Sequence, residues 1–179
     1  NQNITFVQHI DYNAKAQRER ILYGTTTATR YEYDDKTYHL TRLLTTRNNG
    51  ADTMQDLNYT FDPVANITTI TDNAQQTIYF NNALVAANNK FEYDAVYRLT
   101  YAKGREHAGQ NAASDQFDAD KTQFNNQRLT LPGDMNAMQR YEEQYTYDEV
   151  GNMINMIHNA GNGVFANKWT KIFTCNATD

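Results

Sequence analysis

Tyr145-Thr146-Tyr147-Asp148-Glu149-Val150-Gly151-Asn152-Met153, with Met156 three residues on, is the stretch that decides the fold. Two aromatic side chains two positions apart share one face of a strand, because successive side chains alternate across a sheet. The aspartate and glycine that follow are turn residues, and the methionines begin a second apolar segment. The stretch therefore reads as a β-hairpin with one apolar face. The same frame recurs four times. Phe91-Glu92-Tyr93-Asp94 is followed by Leu99 and Ala102, Tyr59-Thr60-Phe61-Asp62 by Ile67 and Ile70, Tyr31-Glu32-Tyr33-Asp34 by Leu40 and Leu43, and Ile10-Asp11-Tyr12-Asn13 by Ile21. One such hairpin is too small to be stable alone and must stack on its neighbour. The fold class is all-β, with stacked antiparallel hairpins.

Between the motifs the reading stays β. Short strands are expected at Ala28 to Tyr33, Leu40 to Thr46, Asp56 to Phe61, Ile67 to Thr71, Gln76 to Phe80 and Phe91 to Tyr93, with turn pairs at Asn81-Asn82 and Asn88-Asn89. The third position after each motif Asp or Asn favours glycine, which takes left-handed backbone angles without strain. Only Gly151 supplies it; Ala16, Thr37, Ala65 and Tyr97 fill the matching slots, so those turns must change geometry or bear strain. The anchor aromatics are unequally spaced, and the longest interval holds a polar stretch, Gly104 to Gln127, expected to be an excursion without regular structure. Asp134 to Tyr141 is expected to form a short helix, with Asp134 as cap and Met135, Met138 and Tyr141 at helical spacing. Trp169, Ile172 and Phe173 suggest one more strand.

Composition narrows the function. The 179 residues carry a net charge of −5, which argues against nucleic acid as a partner, since phosphate binding needs clustered Lys and Arg. Arg18, Arg20, Arg42 and Arg47 fall in different segments and read as solvated sheet-face residues. The 13 tyrosines supply much of the apolar area, and their hydroxyls favour thin sheets whose side-chain edges reach water. A single cysteine, Cys175, excludes an internal disulfide framework and a cysteine-based zinc site. No apolar run approaches membrane-spanning length. Neither end shows a signal segment or a capping element, so the chain is expected to be a slice of something longer.

The pattern tyrosine, aspartate, two variable residues, glycine, asparagine or arginine, then an aliphatic residue is that of the RHS or YD-repeat family. Tyr147 to Met153 matches it throughout, and Tyr93-Asp94-Ala95-Val96-Tyr97-Arg98-Leu99 matches except at the glycine. The run from Asp72 to Phe80, with Tyr93 to His107 after it, resembles the shell region of the B and C subunits of bacterial insecticidal toxin complexes, including SpvB-type relatives. The resemblance covers roughly Asp11 to Thr170. It implies a strip of hairpins spiralling into a hollow shell that encloses a variable effector in a secreted or exported bacterial toxin. On that reading, all of 1–179 is a repeat segment of a larger shell wall, and its partners are the remaining shell and the enclosed effector. Self-association through edge strands is expected of the chain alone. The alternative is a surface adhesion or carbohydrate-binding repeat that uses exposed tyrosine rows.

Candidate sites read mostly as structural. Arg105 and His107 share one strand face with Glu106 opposite, so they form no compact catalytic dyad and are expected to lock a turn through hydrogen bonds. His9, His39 and His158 are isolated in sequence, and no histidine pair has metal-ligand spacing. Asp34-Asp35 and Asp118 with Asp120 lack the spaced oxygens of a calcium loop. Asp62-Pro63 resembles the family's self-cleaving Asp-Pro-x-Gly segment, but Ala65 stands where the glycine should be, and the segment reads as a repeat turn. The sequons at Asn3, Asn58, Asn66 and Asn176 read as chance in an Asn- and Thr-rich chain. No catalytic, cofactor or metal residue is assigned, and the chain is expected not to be an enzyme. Tyr33, Phe61, Tyr93 and Tyr147 are expected to be buried and stacked between hairpins, with Asp34, Asp62, Asp94 and Asp148 binding backbone amides at turn entries.

Overall fold

The computed structural model describes residues 5–24, 26–110, 133–161 and 166–174. Those residues contain strands and two short 3-10 turns, Asn48–Gly50 and Ala108–Gln110, and no α-helix. The chain divides into two compact units, Asn1–Gln76 and Thr77–Asp179. The first is an antiparallel meander of β1 (Val7–Tyr12), β2 (Arg18–Tyr23), β3 (Ala28–Tyr33), β4 (Leu40–Arg47), β5 (Asp52–Phe61) and β6 (Ile67–Asp72). The second begins with a small hairpin, β7 (Ile78–Phe80) and β8 (Ala83–Val85), that packs against the strand Met138–Tyr147. Its meander is β9 (Asn88–Tyr93), β10 (Leu99–His107), β11 (Met138–Tyr147), β12 (Met153–Ala160) and β13 (Asn167–Ile172).

All five Tyr-Asp hairpins share one register. Each anchor aromatic faces the first residue of the returning strand: Tyr12 faces Arg18, Tyr33 Leu40, Phe61 Ile67, Tyr93 Leu99 and Tyr147 Met153. The residue two before the anchor faces the position three further on, as in Tyr31 with Leu43, Tyr59 with Ile70, Phe91 with Ala102 and Tyr145 with Met156. Two residues on one strand oppose three on the other, so each returning strand carries one extra residue: Glu19, Thr41, Thr68, Thr100 or Ile154. This is a β-bulge, and it explains the sequence spacing. Apolar residues three apart would lie on opposite faces of a regular strand, and the bulge returns both to the face of the anchor. The bulge threonines Thr41 and Thr100 each donate to a carbonyl on the outgoing strand, Glu32 O and Glu92 O, both at 3.2 Å.

The glycine-less turns keep the left-handed geometry. Ala16, Ala65 and Tyr97 have φ of 60°, 74° and 66°, beside 97° at Gly151. In the second repeat the left-handed residue is Tyr38 (φ 61°), one place beyond the expected Thr37. That turn is one residue longer: the Asp34 amide donates to His39 O, where the other motif residues reach the fourth residue on.

Three expected local elements differ. The segment at 134–141 is a turn and a strand: Asp134 accepts the Ala137 amide, and Met138 and Tyr141 lie within β11. Pairing of His107 with Met138 and Arg105 with Arg140 overrides the helical spacing. The polar excursion does not begin at Gly104, because β10 runs on through His107; the remainder, 111–127, lies outside the described residues. Asn88-Asn89 opens β9 and makes no turn, whereas Asn81 and Asn82 do turn, with φ of 47° and 58°.

The core is thin. Buried apolar residues among those described are Ile21, Val85, Ala102, Ala108, Ala137 and Ala160, and Val85 is the largest side chain fully enclosed. The anchors Tyr33, Phe61, Tyr93 and Tyr147 are half-buried, not buried as expected. In a meander one sheet thick, each ring has neighbours along the sheet and little above it.

Candidate functional site

The Asp turn is the recurring polar device. Asp94 Oδ1 accepts the Val96 and Arg98 amides at 2.9 Å each, while Oδ2 accepts Arg98 Nε at 2.7 Å. Asp148 does the same with Val150, Asn152 and the Asn152 side chain, and Asp62 with Val64, Asn66 and the Asn66 side chain. Asn13 imitates it with Lys15 and Gln17. One side chain thus satisfies two turn amides and fixes the polar residue before the returning strand. These bonds favour the ionised acid. The Thr37 amide chiefly holds Asp34 below the ordinary carboxylate range, the Arg98 amide holds Asp94, and the Asn152 side chain holds Asp148.

The polar residue then reaches the next repeat. Arg98 Nη1 donates to Asp148 O at 3.2 Å, and its guanidinium lies 4.8 Å from the centre of the Tyr147 ring. His39 approaches the Phe61 ring at 4.9 Å, and Gln17 Nε2 donates to Tyr38 O at 2.9 Å. Anchor hydroxyls tie back in the other direction. Tyr33 donates to Arg18 O at 2.9 Å and Tyr147 to Leu99 O at 2.7 Å, each acceptor being the first residue of the preceding hairpin's returning strand. Stacking of repeats is therefore carried by directed polar ties as much as by burial.

A second cluster lies on the face shared by β10 to β13. His158 projects from β12, opposite Glu143 on β11 and Trp169 on β13. Its ring, 4% exposed, is parallel to Trp169 at 4.7 Å and stacks on Tyr141 at 5.5 Å. Nδ1 stands 3.0 Å from Glu143 Oε1. Nε2 lies 3.1 Å from Glu106 Oε2, at an angle too oblique for a directed hydrogen bond. Glu106 Oε1 accepts the Gln139 and Asn167 side-chain amides at 2.9 and 3.1 Å, and Glu143 Oε2 accepts the Tyr145 hydroxyl at 2.5 Å. Burial, and then the bond to Glu143, pushes the Tyr145 hydroxyl well above its ordinary value. Gly104 makes room: a Cβ there would stand 2.8 Å from the Tyr141 ring, which lies over the strand opposite it.

The structure separates the tempting triplet as the alternation requires. Glu106 joins His158, while His107 turns to the Asp134 carbonyl at 2.7 Å and takes the Gly109 amide on Nδ1. His158, isolated in sequence, is the residue that reading missed; the only signal was its place two residues beyond Met156 on the apolar face. His9 pairs with Asp11 at 2.8 Å. Arg42 departs from the solvated reading through a two-pronged bond to Asp56, at 2.6 and 3.0 Å. Asn58 donates to Asp56, and Asn66 serves the Asp62 turn. No group of acidic, His or Cys side chains among the described residues has the arrangement to hold a metal ion. Asp118, Asp120, Asn3, Asn176 and Cys175 lie outside them.

No protein-family model matches the chain. Toxin subunit YenC2 of Yersinia entomophaga is 32% identical over 163 residues, which is 89% of this chain and 16% of that protein. Toxin subunit YenC1 of the same organism is 33% identical over 156 residues, 85% of this chain and 15% of its own length. This chain thus spans a small part of either relative. A structure of the Photorhabdus luminescens Tc holotoxin pore aligns with a TM-score of 0.71 and 30% identity, covering 93% of this chain and 7% of that one. With five Tyr-Asp hairpins in one register and an antiparallel β fold, the chain carries the RHS/YD-repeat pattern and is similar to a stretch of these bacterial toxin-complex subunits.

Proposed function

We propose that this chain is a structural, non-enzymatic wall segment of an RHS-repeat shell that encloses an effector in a secreted bacterial toxin. The observation that carries the reading is the tie between successive hairpins. Tyr33 and Tyr147 bond equivalent carbonyls, and Arg98 links the Asp94 turn to the Asp148 turn. Such ties make each hairpin a template for the next, so a strip can extend by repetition. No described helix is long and apolar enough to cross a membrane. The remaining shell and the effector are the partners this reading requires.

Protease protection tests it. In the parent protein, an enclosed effector should resist a protease until the wall is opened, and paired Asp94→Ala and Asp148→Ala substitutions should expose it. Equal effector sensitivity in the parent and in the substituted protein, or equal protection in both, would overturn the wall reading. The adhesion alternative needs exposed tyrosines, and the anchors Tyr33 and Tyr147 are instead half-buried with their hydroxyls donated to backbone carbonyls.

A further inference from the structure

The cluster on β10 to β13 goes beyond the wall reading and stands independently of it. Here a histidine ring nine-tenths enclosed has a carboxylate within about 3 Å of each nitrogen. A neutral imidazole carries hydrogen on only one nitrogen. The other nitrogen would then turn a lone pair toward a carboxylate oxygen in a site shielded from water, where an unpaired polar contact is costly. With both nitrogens protonated, the positive ring sits between two negative groups and both contacts become attractive. The oblique arm to Glu106 then acts through charge. The Trp169 ring, parallel to it, and the Tyr141 ring, inclined by 21°, present electron-rich faces to that cation.

The groups facing His158 are Glu106 from β10, Tyr141, Glu143 and Tyr145 from β11, and Trp169 with Lys171 from β13. No other residue of β12 titrates. Tyr145 remains a donor across neutral pH, so it fixes Glu143 without supplying a charge. Lys171 Nζ lies 4.8 Å from the Trp169 ring centre. Of the groups that touch the ring, His158 alone changes charge near neutrality by its ordinary chemistry.

We propose that His158 is a proton-operated latch: doubly protonated, it ties Glu143 of β11 and Glu106 of β10 to β12, and loss of one ring proton releases one arm. The tie is present while both ring nitrogens carry hydrogen, and loss of either proton removes one of its arms.

Histidine side-chain 15N spectra of the whole chain, with His158 assigned from its loss in His158→Gln, read the ring directly. The expected result is two protonated nitrogens at about pH 6 and one at about pH 9, with the melting temperature lower by roughly 3–8 °C at the higher pH. In His158→Gln that fall should vanish, and Glu143→Gln should reduce it. An unprotonated nitrogen already at the lower pH would overturn the latch. So would a ring that stays doubly protonated with no change in melting, or a ring that loses its proton while melting is unchanged. The wild-type spectra and melts decide the matter even if the glutamine variant fails to fold.

Discussion

Replacing Gly104 with alanine probes how tightly the second-unit face is packed. The β10 backbone accepts alanine, and removing a strand glycine ordinarily stabilises by about 0.5–1 kcal/mol. Here the added Cβ would meet two ring carbons and the hydroxyl oxygen of Tyr141, each at 2.8 Å. A free ring would swing aside. This one is backed by His158 at 5.5 Å, and His158 by Trp169 at 4.7 Å with the planes 2° apart, so displacement must pass along three stacked rings. Overpacking of that kind costs about 1–3 kcal/mol, leaving a net loss of roughly 0.5–2 kcal/mol, or about 2–6 °C in melting temperature for a chain of this size. Urea titration followed by Trp169, the sole tryptophan, reports both stability and the local stack. A Tyr141→Leu background removes the obstruction, and Gly104→Ala there should be neutral or stabilising. Equal stability of Gly104→Ala and wild type, or the same loss with and without Tyr141, would refute the jammed-stack argument.

Asp94→Ala should lower stability more than Asp94→Asn, because asparagine keeps the Oδ1 acceptor for Val96 and Arg98; amide exchange at those two residues should rank the variants, and equal protection would contradict the turn mechanism. Ala65→Gly should stabilise by about 0.5–1 kcal/mol, since a left-handed alanine costs about 1–2 kcal/mol and glycine's extra unfolded freedom returns part of that; Gly151→Ala should move the urea midpoint the opposite way. The lowered acids Asp34, Asp94 and Asp148 stabilise the fold above their unfolded range near about 4, and that contribution disappears as pH falls through their lower folded values. Tyr33, Tyr59, Tyr101, Tyr141 and Tyr145, all raised first by burial, contribute below about 10 and lose their effect as pH rises further. Melting temperature against pH should fall at both extremes, and stability undiminished at either would count against that set of groups.

Local chemistry explains why the hairpins were legible and some boundaries were not. Each motif Asp works within four or five residues of itself, so its turn can be read from a short window. The Met135, Met138 and Tyr141 spacing failed because β10 offers a backbone ladder that a helix at 134–141 would forgo. Anchor burial was overestimated for a similar reason: a strand pattern tells which face a ring takes, and the number of layers over that face comes from the rest of the molecule.

By itself the sequence determined the all-β class, the five hairpins, their turns and the face each anchor occupies, because these follow from side-chain alternation and contacts only a few residues apart. Its apolar residues three apart also held the bulge, although only the paired register showed what that spacing meant. Tertiary structure alone decided the ties from Arg98 to Asp148 and from Tyr147 to Leu99, 50 and 48 residues apart. It also assembled Glu106, Glu143 and His158 from three strands around one buried ring. Contacts at such separations depend on strand order and register, and no local pattern in the chain encodes which distant carboxylates will meet a given histidine.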